Sequence, residues 1–158
     1  MTIQVGDKIP EGMLTVMGAE GPTGISTADI FNGKKVVLFA VPGAFTPTCS
    51  MAHLPGFVVH VDELKAKGVD TVACMSVNDV FVMDAWGKSA NAEHLMMLAD
   101  GNATFTEALG LVLDGSGFGM GTRSLRFAMI VEDGVVTLLN VDAATLDASS
   151  AEAVLAAL

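Results

Sequence analysis

One stretch decides the fold: Val36-Val37-Leu38-Phe39-Ala40-Val41, six apolar residues in a row that Pro42-Gly43 brings to a stop. A run this short, uninterrupted and bounded by turn residues is typical of a strand that is buried on both faces. We therefore expect a central strand here. The loop that follows such a strand is where α/β sheets place their functional sites.

The next segment predicts a helix and a second strand. Between residues 49 and 67 apolar side chains recur every three or four positions, and Lys65, Lys67 and Gly68 give the basic last turn and glycine stop of a helix. Pro55 predicts a kink near the first turns. A β-rich run follows over residues 69–77. Strand, helix and strand form a βαβ unit, which implies a parallel pair with a right-handed crossover.

The remaining segments complete a sheet with helices on both faces. Asp133-Gly134 separates two β-rich runs and is a strong hairpin signal, and Ser149 or Ser150 caps a final helix. The other expected elements are short strands and a helical turn capped by Thr27 within residues 1–35, a helix over 80–86, a strand over 95–99 and helical turns over 104–109. This order predicts an α/β, thioredoxin-like fold with a central mixed β-sheet flanked by helices.

Composition limits the classes of function. The chain has 158 residues, 51% hydrophobic and 16% charged, so residues 1–158 are expected to form a single domain with a real core. A formal net charge of −10 disfavours nucleic acid and anionic membranes as partners. Neither a secretory signal nor a membrane-spanning run is read, so a cytoplasmic protein is expected. Cys49 and Cys74 have neither CxxC nor zinc-site spacing, so free thiols and no metal are expected.

The loop after the central strand carries the candidate chemistry. Cys49 falls at the start of the predicted helix, where unpaired backbone N–H groups and the positive end of the helix dipole favour a thiolate. Thr46 stands three residues earlier, where a thioredoxin-like redox pair has its first cysteine. A hydroxyl there can bond to sulfur or to substrate but cannot form a disulfide, so CxxC-type exchange is excluded. The alternative is a buried structural cysteine.

Several motifs agree with one known family. They are Pro42-x-x-x-Thr46-x-x-Cys49, His53-Leu54-Pro55-Gly56-Phe57, Ser76-Val77-Asn78-Asp79, Ala85-Trp86-Gly87 and Arg123-Ser124-Leu125-Arg126-Phe127. In this order they resemble the type II or type 5 peroxiredoxins over nearly the full length. The resemblance implies reduction of hydrogen peroxide and alkyl hydroperoxides by Cys49, with Pro42, Thr46 and Arg126 completing the site and no cofactor beyond a thiol co-substrate.

Thiolate formation alone does not explain such a reaction. Lowering a thiol pKa from about 8.5 to about 6 raises the thiolate fraction at pH 7 roughly thirtyfold, while nucleophilicity falls roughly tenfold. Most of the acceleration must therefore act on the peroxide. Arg126 can polarise a peroxide oxygen, Thr46 can accept the peroxide proton or donate to the attacked oxygen, and Pro42 can shield the sulfur. Their alternatives are a surface ion pair for Arg126 and a simple turn for Pro42; Arg123 is a backup or an orienting partner.

Several questions stay open at the level of sequence. His53, four residues after Cys49, is a packing or loop-bonding histidine, or the general base of a Cys–His hydrolase. For the function of the whole chain, a non-catalytic peroxide sensor or holdase is a further alternative. The resemblance to plant type II peroxiredoxins suggests that Cys74 is a resolving cysteine, and the alternative is a core residue in a buried strand. If Cys74 does not resolve, an external thiol (glutathione, glutaredoxin or thioredoxin) must reduce a partly exposed Cys49. The resemblance suggests a homodimer, formed through residues that could equally be core: Phe45, Phe81 and Trp86.

Overall fold

The computed structural model describes residues 2–142 and 146–158. Its strands are β1 (Met13–Gly18), β2 (Gly21–Ser26), β3 (Lys35–Ala40), β4 (Thr71–Ser76), β5 (Met96–Ala99), β6 (Val112–Asp114), β7 (Thr122–Ser124), β8 (Arg126–Glu132) and β9 (Val135–Asp142). Its α-helices are α1 (Thr27–Phe31), α2 (Leu54–Ala66), α3 (Val80–Ser89), α4 (Thr104–Leu109) and α5 (Ala151–Ala157). A π-helical turn (Cys49–His53) precedes α2, and a 3₁₀ turn (Ser116–Phe118) lies between β6 and β7. None of the described helices has the length and apolar character of a membrane span.

Seven strands form one mixed sheet in the order β2-β1-β5-β4-β3-β8-β9. Strand β3 is parallel to β4 and antiparallel to β8, and β4 is parallel to β5. The predicted βαβ unit and central strand are confirmed. The structure adds a two-stranded sheet of β6 and β7, which the sequence did not indicate.

Two apolar layers cover the faces of the sheet. Val37 and Phe39 of β3 face the layer that contains α2, α3 and α5, whereas Val36 and Leu38 face the layer that contains α1 and α4. All four are fully buried. Each such side chain contributes about 1.5–3 kcal/mol on burial, which explains why this stretch directs the fold.

The hairpin of β8 and β9 turns at Asp133-Gly134, as predicted. Both residues have positive φ, 47° and 79°, as a type I′ turn requires. Thr137 is an extra residue in β9, because Val131 pairs with Val136 whereas Ile130 pairs with Leu138. This β-bulge shifts the register by one residue and sets Asp142 opposite Arg126 at the far end of the hairpin.

The helix predicted over residues 49–67 starts differently from expectation. Instead of a kinked α-helix, the first turn is π-helical, and the N–H of Leu54 donates to the carbonyl of Cys49 five residues earlier. Pro55 has no N–H and would clash with a carbonyl four residues before it, which a wider turn relieves. The cap of α1 also differs: the side chain of Ser26, rather than Thr27, accepts from the N–H of Asp29.

Candidate functional site

The loop between β3 and α2 is held by local hydrogen bonds. The Thr46 hydroxyl donates to the Gly43 carbonyl at 2.7 Å, and the Asn78 side-chain oxygen accepts from the N–H of Ala44 at 2.9 Å. Phe45 has φ +62°, a left-handed conformation that is strained for an aromatic residue and that this anchored loop sustains. The carbonyl of Thr46 then accepts from the N–H of Ser50, so the first helical turn begins directly behind the loop.

Cys49 is fully buried, which corrects the expectation of a partly exposed thiol. The first turn packs onto the sheet, and the Cys49 side chain lies in the apolar layer that also contains Phe39 and Phe57. Nη2 of Arg126 donates to Cys49 Sγ at 3.2 Å. The side chain of Arg126 comes from the first residue of β8 and is itself buried, so a surface ion pair is not its role.

His53 holds the other arm of the same guanidinium. Nη1 of Arg126 lies 2.8 Å from Nδ1 of His53, and Nε2 of His53 lies 3.0 Å from the carbonyl oxygen of Ser149. A carbonyl and a guanidinium allow one assignment: Nε2–H donates to Ser149, and the Nδ1 lone pair accepts from Arg126. Burial and the charge of Arg126 lower the pKa of His53 to about 4, so the imidazole is neutral at pH 7. Both ring nitrogens are engaged away from Cys49, so a Cys–His hydrolase base is not favoured.

A cavity of about 350 Å³ opens onto Arg126. Pro42, Thr46 and Thr48 line it together with Arg126. The cavity also has an apolar wall, formed by residues just before the π-helical turn, in β6 and after β6, which are Pro47, Leu113, Phe118 and Met120. This wall was not predicted from the sequence, in which the glycine-rich turn over residues 115–121 was the available signal. A larger cavity, about 490 Å³, lies between β1, α3 and β5, and neither Cys49 nor Cys74 lines it.

Arg123 lines the same cavity but has a different partner from Arg126. Its Nε–H donates to the carbonyl of Met120 at 2.9 Å, so it braces the turn before β7. The sequence allowed Arg123 to be the residue that orients Arg126. In the structure His53, and not Arg123, makes the hydrogen bond to Arg126.

Cys74 lies behind the site in the middle of β4. It is fully buried, and its backbone lies between Phe39 of β3 and Met97 of β5. Its side chain lies in the same apolar layer as Cys49. Burial, and then the nearby Cys49, raise the pKa of the Cys74 thiol well above its usual value. The thiol is therefore protonated and a poor nucleophile as it stands.

The three aromatic residues considered for a subunit contact separate into two groups. Phe45 is 54% exposed and Phe81 is 64% exposed. Trp86 is buried and its Nε1–H donates to the hydroxyl of Ser50 at 3.0 Å, so it belongs to the core beneath the active-site turn.

Two further residues near the site, Asp142 and Ser149, were not identified from the sequence as functional. Asp142 is buried at the end of β9 and accepts from the backbone N–H groups of Asp147, Ala148 and Ser149 at 3.0, 3.1 and 2.8 Å. It also accepts from the Ser149 hydroxyl at 2.6 Å. Burial raises the pKa of Asp142, but these hydrogen bonds together lower it to about 2.

Within residues 2–142 and 146–158, no three His, Cys, Asp or Glu side chains are arranged to hold a metal ion.

Comparison with known proteins agrees with this geometry. The Redoxin family model matches residues 4–155. The chain is 49% identical to Peroxiredoxin-2E-2, chloroplastic, of Oryza sativa subsp. japonica (99% of this chain, 73% of the relative) and 47% identical to Peroxiredoxin-2B of Arabidopsis thaliana (99% and 98%). The structure of reduced Prx3 from Vibrio vulnificus in complex with hydrogen peroxide superposes with a TM-score of 0.96, 57% identity and 99% coverage of both chains. The thioredoxin-like fold is thereby confirmed, and the chain belongs to the redoxin family as a peroxiredoxin, a thiol-dependent peroxidase.

Proposed function

We propose that Cys49 is the peroxidatic cysteine and that it reduces hydrogen peroxide and alkyl hydroperoxides in the cavity beside Arg126. The observation that carries this proposal is the 3.2 Å hydrogen bond from a buried guanidinium to the sulfur. The Cys49 thiolate attacks one oxygen of the peroxide. A sulfur–oxygen bond forms as the O–O bond breaks, and the leaving oxygen takes a proton to become water or an alcohol. Cys49 is left as a sulfenic acid.

Arg126 and Thr46 act on the two oxygens of the peroxide. Arg126 is the fixed positive charge beside the sulfur, since His53 is neutral, and it stabilises the negative charge that moves onto the leaving oxygen. The hydroxyl hydrogen of Thr46 is used by the Gly43 carbonyl, so its oxygen offers lone pairs and accepts a hydrogen bond from the peroxide O–H. Pro42 lines the cavity without adding a backbone donor that would compete for the substrate.

The apolar wall of the cavity supports organic hydroperoxides as substrates. Leu113, Phe118 and Met120 line the cavity, and Phe118 is 88% exposed. An alkyl group that emerges from the site would contact these side chains and lose apolar surface to water.

An external thiol is the proposed reductant of the sulfenic acid. Cys74 is a buried, protonated thiol in a strand paired on both sides, so its backbone cannot move towards Cys49 without loss of ladder hydrogen bonds. Because Cys49 is itself buried, reduction requires the π-helical turn to open. Once it is open, glutathione, with or without glutaredoxin, or thioredoxin meets an accessible sulfenic acid while Cys74 stays in place.

The chain is further proposed to act in the cytoplasm as one domain that pairs with a second copy of itself. Two buried free thiols fit a reducing compartment. Phe45 lies in the active-site loop and Phe81 lies in α3, and both expose large apolar rings that a second copy would cover.

The test of the main proposal is Cys49→Ser. The variant should keep the fold, by circular dichroism, and lose peroxide consumption completely, because serine does not form a nucleophilic anion at neutral pH. Stopped-flow oxidation of the wild-type protein should be orders of magnitude faster than that of a free thiol. Near-normal turnover in Cys49→Ser would refute the assignment, and a wild-type rate equal to that of a free thiol would favour the sensor alternative.

A further inference from the structure

Asp142 and Arg126 are buried, oppositely charged and directly opposite each other in the β8–β9 ladder. Partners across an antiparallel ladder point to the same face of the sheet, so an ion pair would be the simplest arrangement. It does not form: Arg126 is in none of the ion pairs of the described residues. The Asp142 carboxylate is occupied instead by residues 147–149, the loop segment that leads into α5.

A continuous series of hydrogen bonds connects this carboxylate to the reactive sulfur. Asp142 fixes both the N–H and the hydroxyl of Ser149. The Ser149 carbonyl accepts from Nε2–H of His53, Nδ1 of His53 accepts from Arg126, and Arg126 donates to Cys49 Sγ. Residues 49, 53, 126, 142 and 149 are all buried, so water does not compete for these bonds.

We propose that Asp142 is a positioning residue for peroxide reduction: it fixes the Ser149 carbonyl, which holds His53 in the tautomer whose Nδ1 orients Arg126 towards Cys49. The inference rests on the proposed function of Cys49. Asp142 touches neither the substrate nor the sulfur and acts through Ser149 and His53.

Two physical effects give this arrangement its consequence. If the Ser149 carbonyl moved, Nε2–H would lose its acceptor, and the other tautomer would present an N–H to the guanidinium, which has no lone pair to accept it. In addition, four hydrogen bonds from the loop satisfy the Asp142 charge. Without them, a buried carboxylate beside a buried guanidinium would compete with Cys49 for Arg126. The hydrogen bonds from the loop segment therefore hold His53 in its Nε2–H tautomer and leave Arg126 available to Cys49.

The test compares Asp142→Asn with Asp100→Asn. Asp100 is the matched control, since it is also a buried carboxylate that accepts from two backbone N–H groups and one hydroxyl, those of Phe105 and Thr106. In both variants an amide nitrogen replaces one acceptor oxygen, so both should lower the melting temperature to a similar extent. We expect the second-order rate of Cys49 oxidation to fall about tenfold or more in Asp142→Asn and to stay within about twofold in Asp100→Asn.

A second readout separates positioning from general destabilisation and does not need activity. The ¹⁵N resonances of labelled histidine report the tautomer of His53, which should be Nε2–H in the wild type and in Asp100→Asn, and mixed in Asp142→Asn. Should Asp142→Asn fail to fold, Ser149→Ala, which removes the 2.6 Å hydroxyl bond alone, carries the test. We expect it to shift the His53 resonances and to slow oxidation about threefold.

An unchanged His53 tautomer, or equal rate losses in the Asp142 and Asp100 variants, would overturn the inference. So would wild-type rates and resonances in Ser149→Ala if that variant carries the test. These failures differ from failure of the proposed function, in which the wild-type protein itself would not reduce peroxide.

Discussion

At the scale of single residues, the site depends on a neutral histidine that serves as an acceptor. His53 packs against Phe39, with ring centroids 4.9 Å apart, and is too buried to hold a proton beside Arg126. A protonated imidazole would repel the guanidinium and offer it no lone pair. One arm of Arg126 is therefore fixed by His53 and the other is left for sulfur, a division that requires a forked side chain.

This geometry predicts that Arg126→Lys is a poor substitute although it keeps the charge. A single ammonium cannot hold the positions that the two guanidinium arms occupy, so oxidation of Cys49 should slow by about a hundredfold, as for loss of a transition-state donor. The rates are to be compared by stopped flow over a range of pH, at the plateau that each protein reaches in base, so that differences in thiolate fraction do not enter the comparison.

Arg123→Lys is the comparison variant, since Arg123 bonds a backbone carbonyl at the cavity wall. The rate of Cys49 oxidation should fall much less in Arg123→Lys than in Arg126→Lys. If Arg126→Lys matched the wild type at the plateau of its pH profile, Arg126 would act on the thiol alone and the transition-state role would be wrong.

At the scale of elements, the sequence predicted what depends on local pattern. The apolar run of β3, the Asp133-Gly134 turn and the Ser150 cap of α5 are each set by a few adjacent residues. The π-helical turn depends on how Pro55 is accommodated, and the bulge at Thr137 has no local signal. A regular ladder from the turn would set Val141 opposite Arg126, so the placement of Asp142 could not be read from the sequence.

The candidate site was predicted unevenly for the same reason. Pro42 and Thr46 lie in one loop, Cys49 begins the turn directly after it, and all three were named from spacing and resemblance. Arg126 was named from resemblance, since nothing local indicates that a residue far along the chain reaches the same cavity. The burial of Cys49 was missed because it depends on how the first turn packs onto the sheet.

The opening of the π-helical turn gives a prediction for recycling. With Cys74→Ser, turnover supported by glutathione should be retained, because Cys74 remains in its strand while the turn opens around Cys49. After peroxide treatment with glutathione, mass spectrometry should find the mixed disulfide on Cys49. A 49–74 disulfide as the main product, together with loss of turnover in Cys74→Ser, would establish the two-cysteine route instead.

At the scale of the whole molecule, an acidic chain places both of its arginines at the cavity beside Cys49. The formal net charge is −10, yet both arginines of the sequence, Arg123 and Arg126, line the cavity beside Cys49. Burial then keeps water from screening Arg126, so one guanidinium exerts a strong field on the sulfur and on the peroxide. Burial of the neutral His53 that supports it also couples the site to global stability.

The stability of the molecule should accordingly fall in mild acid. His53 has a pKa of about 4 in the folded chain and about 6.5 when unfolded, so between these values the unfolded state binds the extra proton. The contribution of His53 is fully present above about pH 6.5 and is lost as the pH falls towards 4, by about 2 kcal/mol between pH 7.5 and 5. Urea unfolding at the two pH values measures it, and His53→Gln should lose correspondingly less stability on acidification.

His60→Gln is the comparison variant and should lose more stability than the wild type on acidification. Hydrogen bonding to Glu63 raises the pKa of His60, so the contribution of His60 is present at low pH and lost as pH rises. Asp142 does not enter this window, since its lowered pKa affects stability only below about pH 4. Equal losses in the wild type and His53→Gln would mean that His53 is not held neutral in the folded protein.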